Sequence, residues 1–231
     1  MLVITGGEPF LWEDREHRLG DVVQYAKEKG YFRIVVCTNG VFPLESKADY
    51  LWVSLDGTSR NHNELRKSTL FDQIVRNLTE SSHSRIYVNF TINALNSGVL
   101  EQEVEAILGL PNVRGVLLLL FTPYRGLEDS PVRLDPMQKK ETLRKMQLLK
   151  RRHPFRITNS FAGIRALTRN TWRRPVWGST VANGGELSTC CCREGIYDTE
   201  VCRECGCTPA VETWVLQSMK PSALLEYLRY L

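Results

Sequence analysis

Leu2-Val3-Ile4-Thr5-Gly6-Gly7-Glu8-Pro9 is the stretch on which the fold turns. An apolar run of strand character passes straight into a glycine pair, a carboxylate and a proline. Two glycines let the backbone turn sharply and approach a ligand closely, because no Cβ is in the way. Glu8 then stands at the C-terminal end of the strand, where parallel α/β folds place their ligands. A carboxylate there can hold a ligand's ammonium group, and Pro9 fixes the backbone just behind it.

Downstream of this stretch, apolar periodicity alternates between strand and helix. Residues 19–29 read as an amphipathic helix ended by Gly30, and 32–38 as a strand running into Asn39-Gly40. Residues 50–55 form a strand ending at Asp56-Gly57. Residues 69–78 are helical, 85–92 a strand, 99–108 helical and 113–121 a strand. The longest helix spans 135–151, with Asp135 as its N-cap and Pro136 at the first helical position. Residues 155–158 have the character of one more short strand. This order predicts an α/β fold with a parallel sheet or barrel, its chemistry at the C-terminal ends of the strands.

Polar residues collect at those ends. Glu8 ends the first strand, Thr38 and Asn39 the second, and Ser54 and Asp56 the third. Asn89, Thr91 and Asn93 alternate along the fourth and share one face. Three such residues inside a barrel are costly unless they face a ligand cavity. Phe121-Thr122-Pro123-Tyr124 ends the fifth strand, either toward substrate or as a packed aromatic turn. Arg66 reads equally as a salt-bridge or a site residue, His62 as a surface-loop residue, and Cys37 as a buried strand cysteine.

Composition narrows the class. The chain has 231 residues, 42% hydrophobic and 24% charged, which suits one large α/β domain plus a small appendage. A net charge of +4 is too small to argue for nucleic acid. The cations between Lys139 and Arg152 read as the solvated face of a helix, favoured by its dipole near the C-terminus. No run approaches the ~20 apolar residues of a membrane span. No charged segment followed by an apolar core marks a signal peptide, so the cytoplasm is the expected compartment.

Seven cysteines give the second signal. Six fall in one short stretch: Cys190-Cys191-Cys192, then Cys202-x-x-Cys205-x-Cys207. Thiolates at C-x-x-C spacing chelate one metal centre, because the turn points both sulfurs inward. Cys191, Cys192, Cys202, Cys205 and Cys207 are the candidate ligands, with the choice among Cys190, Cys191 and Cys192 open. Six thiolates exceed one four-thiolate centre and fall short of two. Zinc and an iron–sulfur cluster both fit. After about residue 160 the pattern changes: Trp172, Pro175, Trp177, Gly178 and Gly184-Gly185 give a helix-poor segment leading into the cysteines, with a short hairpin over 177–187, and a helix follows over 222–231. The organisation expected is a barrel domain over 1–160 and a metal-stapled, cysteine-rich domain over 161–231.

Taken in order, Gly-Gly-Glu-Pro, Cys-Thr-Asn-Gly and Val-Ser-Leu-Asp-Gly, followed by His62-x-x-x-Arg66, resemble the motifs of radical S-adenosylmethionine enzymes over residues 2–121. The cysteine tail is loosely similar to the auxiliary-cluster extensions called SPASM or twitch domains. The resemblance implies a partial (β/α)6 TIM-like barrel binding S-adenosylmethionine, with a [4Fe–4S] cluster in the C-terminal extension. It implies that Gly6, Gly7, Glu8 and Pro9 meet the methionine amino group, with Glu8 as the charge partner. Thr38 and Asn39 would line the same end, Ser54 and Asp56 would approach the ribose or methionine moiety, and Asn93 would face the same cavity. The implied reaction is reductive cleavage of the sulfonium to a 5′-deoxyadenosyl radical that attacks a small-molecule, lipid or peptide substrate. The electron comes from a ferredoxin or flavodoxin.

One departure bears on this reading. The family's Cys-x-x-x-Cys-x-x-Cys loop precedes Gly-Gly-Glu-Pro, whereas only five residues stand before Gly6 here and none is cysteine. The expectation is a chain truncated at its N-terminus, lacking the first βα unit and the cysteines of the catalytic cluster. The alternatives are a non-catalytic, zinc-stapled α/β ligand-binding protein, or an iron–sulfur electron-transfer module.

Overall fold

The computed structural model describes residues 1–124, 126–127, 129–191 and 198–229. Its elements run β1 (Leu2–Ile4), β2 (Glu13–Asp14), β3 (His17–Arg18), α1 (Leu19–Glu28), β4 (Ile34–Thr38), β5 (Tyr50–Ser54), α2 (Ser59–Arg66) and α3 (Phe71–Glu80). Next come β6 (Ile86–Ile92), α4 (Leu100–Leu108), β7 (Val113–Leu120), α5 (Pro136–Arg152) and α6 (Phe161–Arg169). The remainder is β8 (Thr180–Asn183), β9 (Glu186–Thr189), α7 (Thr199–Glu204), α8 (Thr208–Gln217) and α9 (Pro221–Arg229).

The strands form a five-stranded parallel sheet in the order β1-β4-β5-β6-β7. Register aligns their C-terminal ends: Ile4 lies opposite Val36, Thr38 opposite Val53, and Ser54 opposite Asn89. This is the α/β arrangement expected, consistent with a partial TIM-like barrel. Along β6, Ile86, Val88, Phe90 and Ile92 are buried while Tyr87, Asn89 and Thr91 are half-buried. That two-residue alternation puts an apolar face against helices and leaves the polar set on the other. Leu51, Val53 and Leu55 continue the buried face. Helices α1, α3 and α4 carry apolar stripes, such as Leu100, Val104, Ile107 and Leu108 on α4.

Residues 1–90 with 99–117 make one compact unit, and 91–98 with 118–231 another. In the second, α5, α6, α8 and α9 pack on one another. Helix α5 starts as the sequence predicts: Asp135 accepts from the Gln138 N–H at 2.8 Å and Pro136 opens the helix. The cations at its end are not all solvated. Lys150 is fully buried, and its ammonium donates to the carbonyls of Pro154 and Ile157 and to Glu226 on α9. A buried ammonium needs such partners, which the helix-dipole reading did not supply.

Three local expectations change. Residues 155–158 form a turn with a single bridge at Ile157, not a strand. Between 158 and 222 the sequence pattern singled out no helix, yet Ser160 N-caps α6 by accepting from the Gly163 N–H, and α7 and α8 follow, while residues 171–189 are free of helix as expected. His62 is buried within α2, not on a surface loop. The hairpin expected over 177–187 is present as β8 and β9. Among the described residues, no helix is long and apolar enough to cross a membrane.

Candidate functional site

Gly6 and Gly7 have φ values of +99° and +51°, and a Cβ on either would meet open space. Their backbone is therefore bare to solvent at the end of β1, in conformations that L side chains rarely adopt. The chain then enters a short 3₁₀ turn at Pro9, with Glu8 as its cap. The Glu8 carboxylate is half-buried and shared. Its Oε1 accepts from the Thr38 hydroxyl at 2.7 Å and from the Phe10 N–H at 3.2 Å. Its Oε2 accepts from the Asn39 N–H at 2.7 Å. Thr38 in turn accepts from the Gly40 N–H at 3.0 Å, and Asn39 from the Val41 N–H at 2.9 Å. Gly6, Gly7, Glu8, Pro9, Thr38 and Asn39 thus form one constellation at the ends of two adjacent strands. Carboxylate oxygens have more acceptor directions than these donors use, so the group can still receive an ammonium.

Ser54 ends β5, half-buried. Asp56 lies two residues on and is 1% exposed. Its carboxylate is held by Arg66 through Nη2 at 2.6 Å and Nε at 2.7 Å, so Arg66 is a salt-bridge residue. The Asp56 N–H donates to His62 Nδ1 at 3.2 Å, and the His62 ring packs against Phe71. Burial pushes the His62 pKa below the ordinary imidazole value, against the pull of the Asp56 charge. Glu103, buried on α4, accepts from the Thr58 N–H, from the Thr58 hydroxyl at 3.1 Å and from Asn61 at 2.7 Å. His62 and Glu103 escaped the sequence reading. The signal for His62 was its place one helical turn before Arg66, whereas Glu103 looked like any exposed helix carboxylate.

Asn93, buried just beyond β6, closes its own loop. It accepts from the Leu95 N–H at 2.9 Å and donates to the Thr91 carbonyl at 3.2 Å, while Asn96 accepts its N–H. Cys37 is half-buried on β4.

The tail thiols gather at the end of β7. Gly206 approaches Leu120 so closely that a Cβ there would collide with the Leu120 Cβ and carbonyl. The Leu120 N–H donates to the Gly206 carbonyl at 3.2 Å, and the Gly206 N–H to the Thr122 hydroxyl at 3.0 Å. Leu120 and, within Phe121-Thr122-Pro123-Tyr124, Thr122 therefore anchor the cysteine loop. Cys205 Sγ accepts from the Cys207 N–H at 3.4 Å. The Cys207 thiol also supports it, which brings the Cys205 pKa down to about 6, with further help from Arg174 and Thr122. Cys207 keeps its proton: its bond to Cys205 and its burial raise its pKa well above the ordinary value. Burial pushes Cys191 up to about 12, aided by repulsion from Cys190, Cys205 and Cys202, and also raises Cys202. Cys192 lies outside the described residues.

Five described thiols thus lie within electrostatic reach of one another: Cys190, Cys191, Cys202, Cys205 and Cys207. In kind, this donor set fits a thiolate metal centre. Among the described residues, no three His, Cys, Asp or Glu side chains converge closely enough to hold an ion. Cys205 and Cys207 stand hydrogen-bonded to each other rather than turned to a common point.

No family model matches the chain, and no curated protein does. Solved structures match in fold. Native anSMEcpe with bound AdoMet and Cp18Cys peptide aligns with a TM-score of 0.56 at 11% identity, covering 82% of this chain and 60% of that one. Native anSMEcpe with bound AdoMet and Kp18Cys peptide aligns with a TM-score of 0.55 at 11% identity, covering 92% of this chain and 69% of that one. The likeness is one of fold. In the first alignment the chain spans 60% of the length of the protein it matches.

Proposed function

We propose that this chain is a protein of the radical S-adenosylmethionine type that binds S-adenosylmethionine at the Gly6–Asn39 constellation. One observation carries the reading. Glu8 is held by donors from its own turn and from the end of β4 beside a bare glycine pair, with acceptor capacity left over. An α-amino group fits there: the carboxylate takes the charge, and the open backbone admits the neighbouring atoms. Thr38 and Asn39 orient Glu8. Ser54 is proposed to line the pocket with them, and Asp56 to shape its wall through Arg66.

Bound S-adenosylmethionine, with a reduced [4Fe–4S] centre, would supply reductive cleavage of the sulfonium. The residues of this chain bind and orient the methionine end, while the tail thiols are proposed to hold an auxiliary [4Fe–4S] cluster. A peptide is the substrate class proposed, because the structural neighbours carry peptides beside AdoMet. The electron donor would be a ferredoxin or flavodoxin.

Equilibrium dialysis of the full chain against labelled S-adenosylmethionine tests the reading. Saturable binding that falls at least about tenfold in Glu8→Gln supports it, tenfold being about 1.4 kcal/mol. Wild-type binding no tighter than that of Glu8→Gln would refute it. A second reading rests on the tail itself, whose Cys202-x-x-Cys205 pair and neighbouring thiols suit zinc as well as iron: a ligand-binding protein using the same pocket, its tail stapled by zinc. Anaerobically purified protein that is colourless and carries stoichiometric zinc decides for it.

A further inference from the structure

We propose that Asn77, with Gln73 beside it, is a positioning residue of the Glu8 site: from α3 the two amides hold the turn after β4, so that Thr38 and Asn39 keep their donors on the carboxylate. The inference rests on the reading of that site as the one that takes the α-amino group of S-adenosylmethionine.

The turn divides its polar groups between two sides. Its N–H groups go back to the site. The Asn39 N–H donates to Glu8 Oε2 at 2.7 Å, the Gly40 N–H to the Thr38 hydroxyl at 3.0 Å and the Val41 N–H to Asn39 Oδ1 at 2.9 Å. Its carbonyls go to α3. Asn77 Nδ2 donates to the Gly40 carbonyl at 2.9 Å, and Gln73 Nε2 to the Val41 carbonyl at 2.7 Å. Just past the helix, the Ser81 hydroxyl donates to the Leu44 carbonyl at 2.8 Å. Gln73 and Asn77 are four residues apart and therefore share a face of α3.

Peptide planarity carries the constraint across. The Gly40 carbonyl and the Val41 N–H belong to one peptide plane. Asn77 holds that plane at the carbonyl and Asn39 at the N–H. With the plane fixed, the Gly40 N–H stays on the Thr38 oxygen. A hydroxyl has a single proton. While the Thr38 oxygen accepts from Gly40, its proton goes to Glu8 Oε1, 2.7 Å away.

The turn has little room to shift. Gly40 has a φ of +79°, and a Cβ on it would lie 2.7 Å from Val53 Cγ1 and 3.0 Å from Ile74 Cγ2. The backbone is pressed between β5 and α3 in a conformation that suits glycine. The helix behind it is well anchored. Ile74 and Leu78 are buried, and Asn112 closes its end by donating to the carbonyls of Leu78, Thr79 and Ser81 at 3.0, 3.2 and 3.1 Å.

The test is equilibrium dialysis of the full chain against S-adenosylmethionine and against 5′-methylthioadenosine, which keeps the nucleoside and the sulfur but has no amino group. Asn77→Ala is expected to weaken S-adenosylmethionine binding by about three- to tenfold, the scale of one hydrogen bond, and to leave methylthioadenosine affinity unchanged. In a Glu8→Gln background the same substitution should change neither. Where methylthioadenosine binds too weakly to measure, that background decides. Gln73→Ala, at an exposed position, should act in the same direction by a smaller factor, and it decides if circular dichroism shows Asn77→Ala to be poorly folded. Arg76→Gln, also exposed on α3, should match wild type. In the ligand-free chain, hydrogen exchange at the Asn39 amide should quicken in both alanine variants. Equal losses for the two ligands, a loss undiminished in Glu8→Gln, or unchanged exchange and affinity each overturn the inference and leave the Glu8 reading standing. No saturable S-adenosylmethionine binding in wild type overturns that reading, and this inference with it.

Discussion

The Thr38 hydroxyl donates to Glu8 Oε1 at 2.7 Å, joining the end of β4 to the end of β1 across thirty residues of chain. Together with the Asn39 N–H on Oε2, it sets both carboxylate oxygens before any ligand arrives. Preorganisation of this kind lowers the ordering cost of binding. Thr38→Val removes one charge-assisted bond and keeps the β-branched shape. It is expected to lower unfolding free energy by roughly 1–3 kcal/mol and to weaken S-adenosylmethionine binding less than Glu8→Gln does. Urea melts and equilibrium dialysis on the same samples measure both. Unchanged stability in Thr38→Val would mean that the bond does not hold Glu8.

Asp56 and Arg66 form the buried counterpart of that link. The carboxylate is 1% exposed on its side chain and the guanidinium 43%. Removing Arg66 leaves a buried charge without its main partner, a defect that costs roughly 3–5 kcal/mol in a fully buried pair and less here, where one side meets solvent. Arg66→Ala should therefore lower stability by about 2–3 kcal/mol on that scale, and Asp56→Asn/Arg66→Met should recover much of the loss. Thermal melts of wild type, Asp56→Asn, Arg66→Met and the double variant close a cycle that measures the coupling. Equal stability in Arg66→Ala and wild type would show that solvent has taken over the role of Arg66.

The sheet was legible because its strands carry their own punctuation. Gly6-Gly7, Asn39-Gly40 and Asp56-Gly57 each end a run of β-branched and apolar residues, and register aligns those ends. The Glu8–Thr38–Asn39 group obeys the same logic, since residues at neighbouring strand ends must meet. Helix α6 was hidden by its downstream neighbours: Trp172, Pro175, Trp177 and Gly178 read as irregular and masked Ser160 as a cap. Lys150 and His62 were misread for a different reason. Their burial depends on partners far along the chain or behind one helix face, Glu226 for Lys150 and the Phe71 ring for His62. For Lys150 no local pattern carries that information.

His62 makes stability depend on pH in a defined direction. Its Nδ1 accepts from the Asp56 N–H, so the neutral ring, protonated at Nε2, is the form that folds. Burial lowers its pKa below the ordinary 6.5. The unfolded chain therefore binds more protons below that value, and stability contributed by the neutral ring is present above about pH 6.5 and lost as pH falls through the folded pKa. His62→Asn, whose side-chain carbonyl can take the same N–H, should flatten the slope below about pH 6.5. Denaturant midpoints across that range measure it. An identical slope in wild type and His62→Asn would assign the dependence to other groups.

Glu212 acts with the opposite sign. It sits on α8 against the start of α6, its Oε1 accepting from the Ser160 N–H at 2.9 Å and crowding Gly163. Burial raises its pKa from 4.5 to about 7, opposed by the Ser160 bonds and Lys150 and reinforced by Glu226. Between those two values the folded chain binds the extra proton, so stability is greatest at the acid end and declines as pH rises through about 7. Glu212→Gln mimics the protonated form and keeps an oxygen for the Ser160 N–H. It should leave stability unchanged near about pH 5 and raise it at about pH 8, where wild type carries a buried charge. Gly163→Ala separates packing from charge, since a methyl group there meets Glu212 Oε1 and destabilises at every pH. Paired melts at the two pH values measure the difference. A Glu212→Gln gain of equal size at both would show that crowding, not ionisation, limits this corner of the fold.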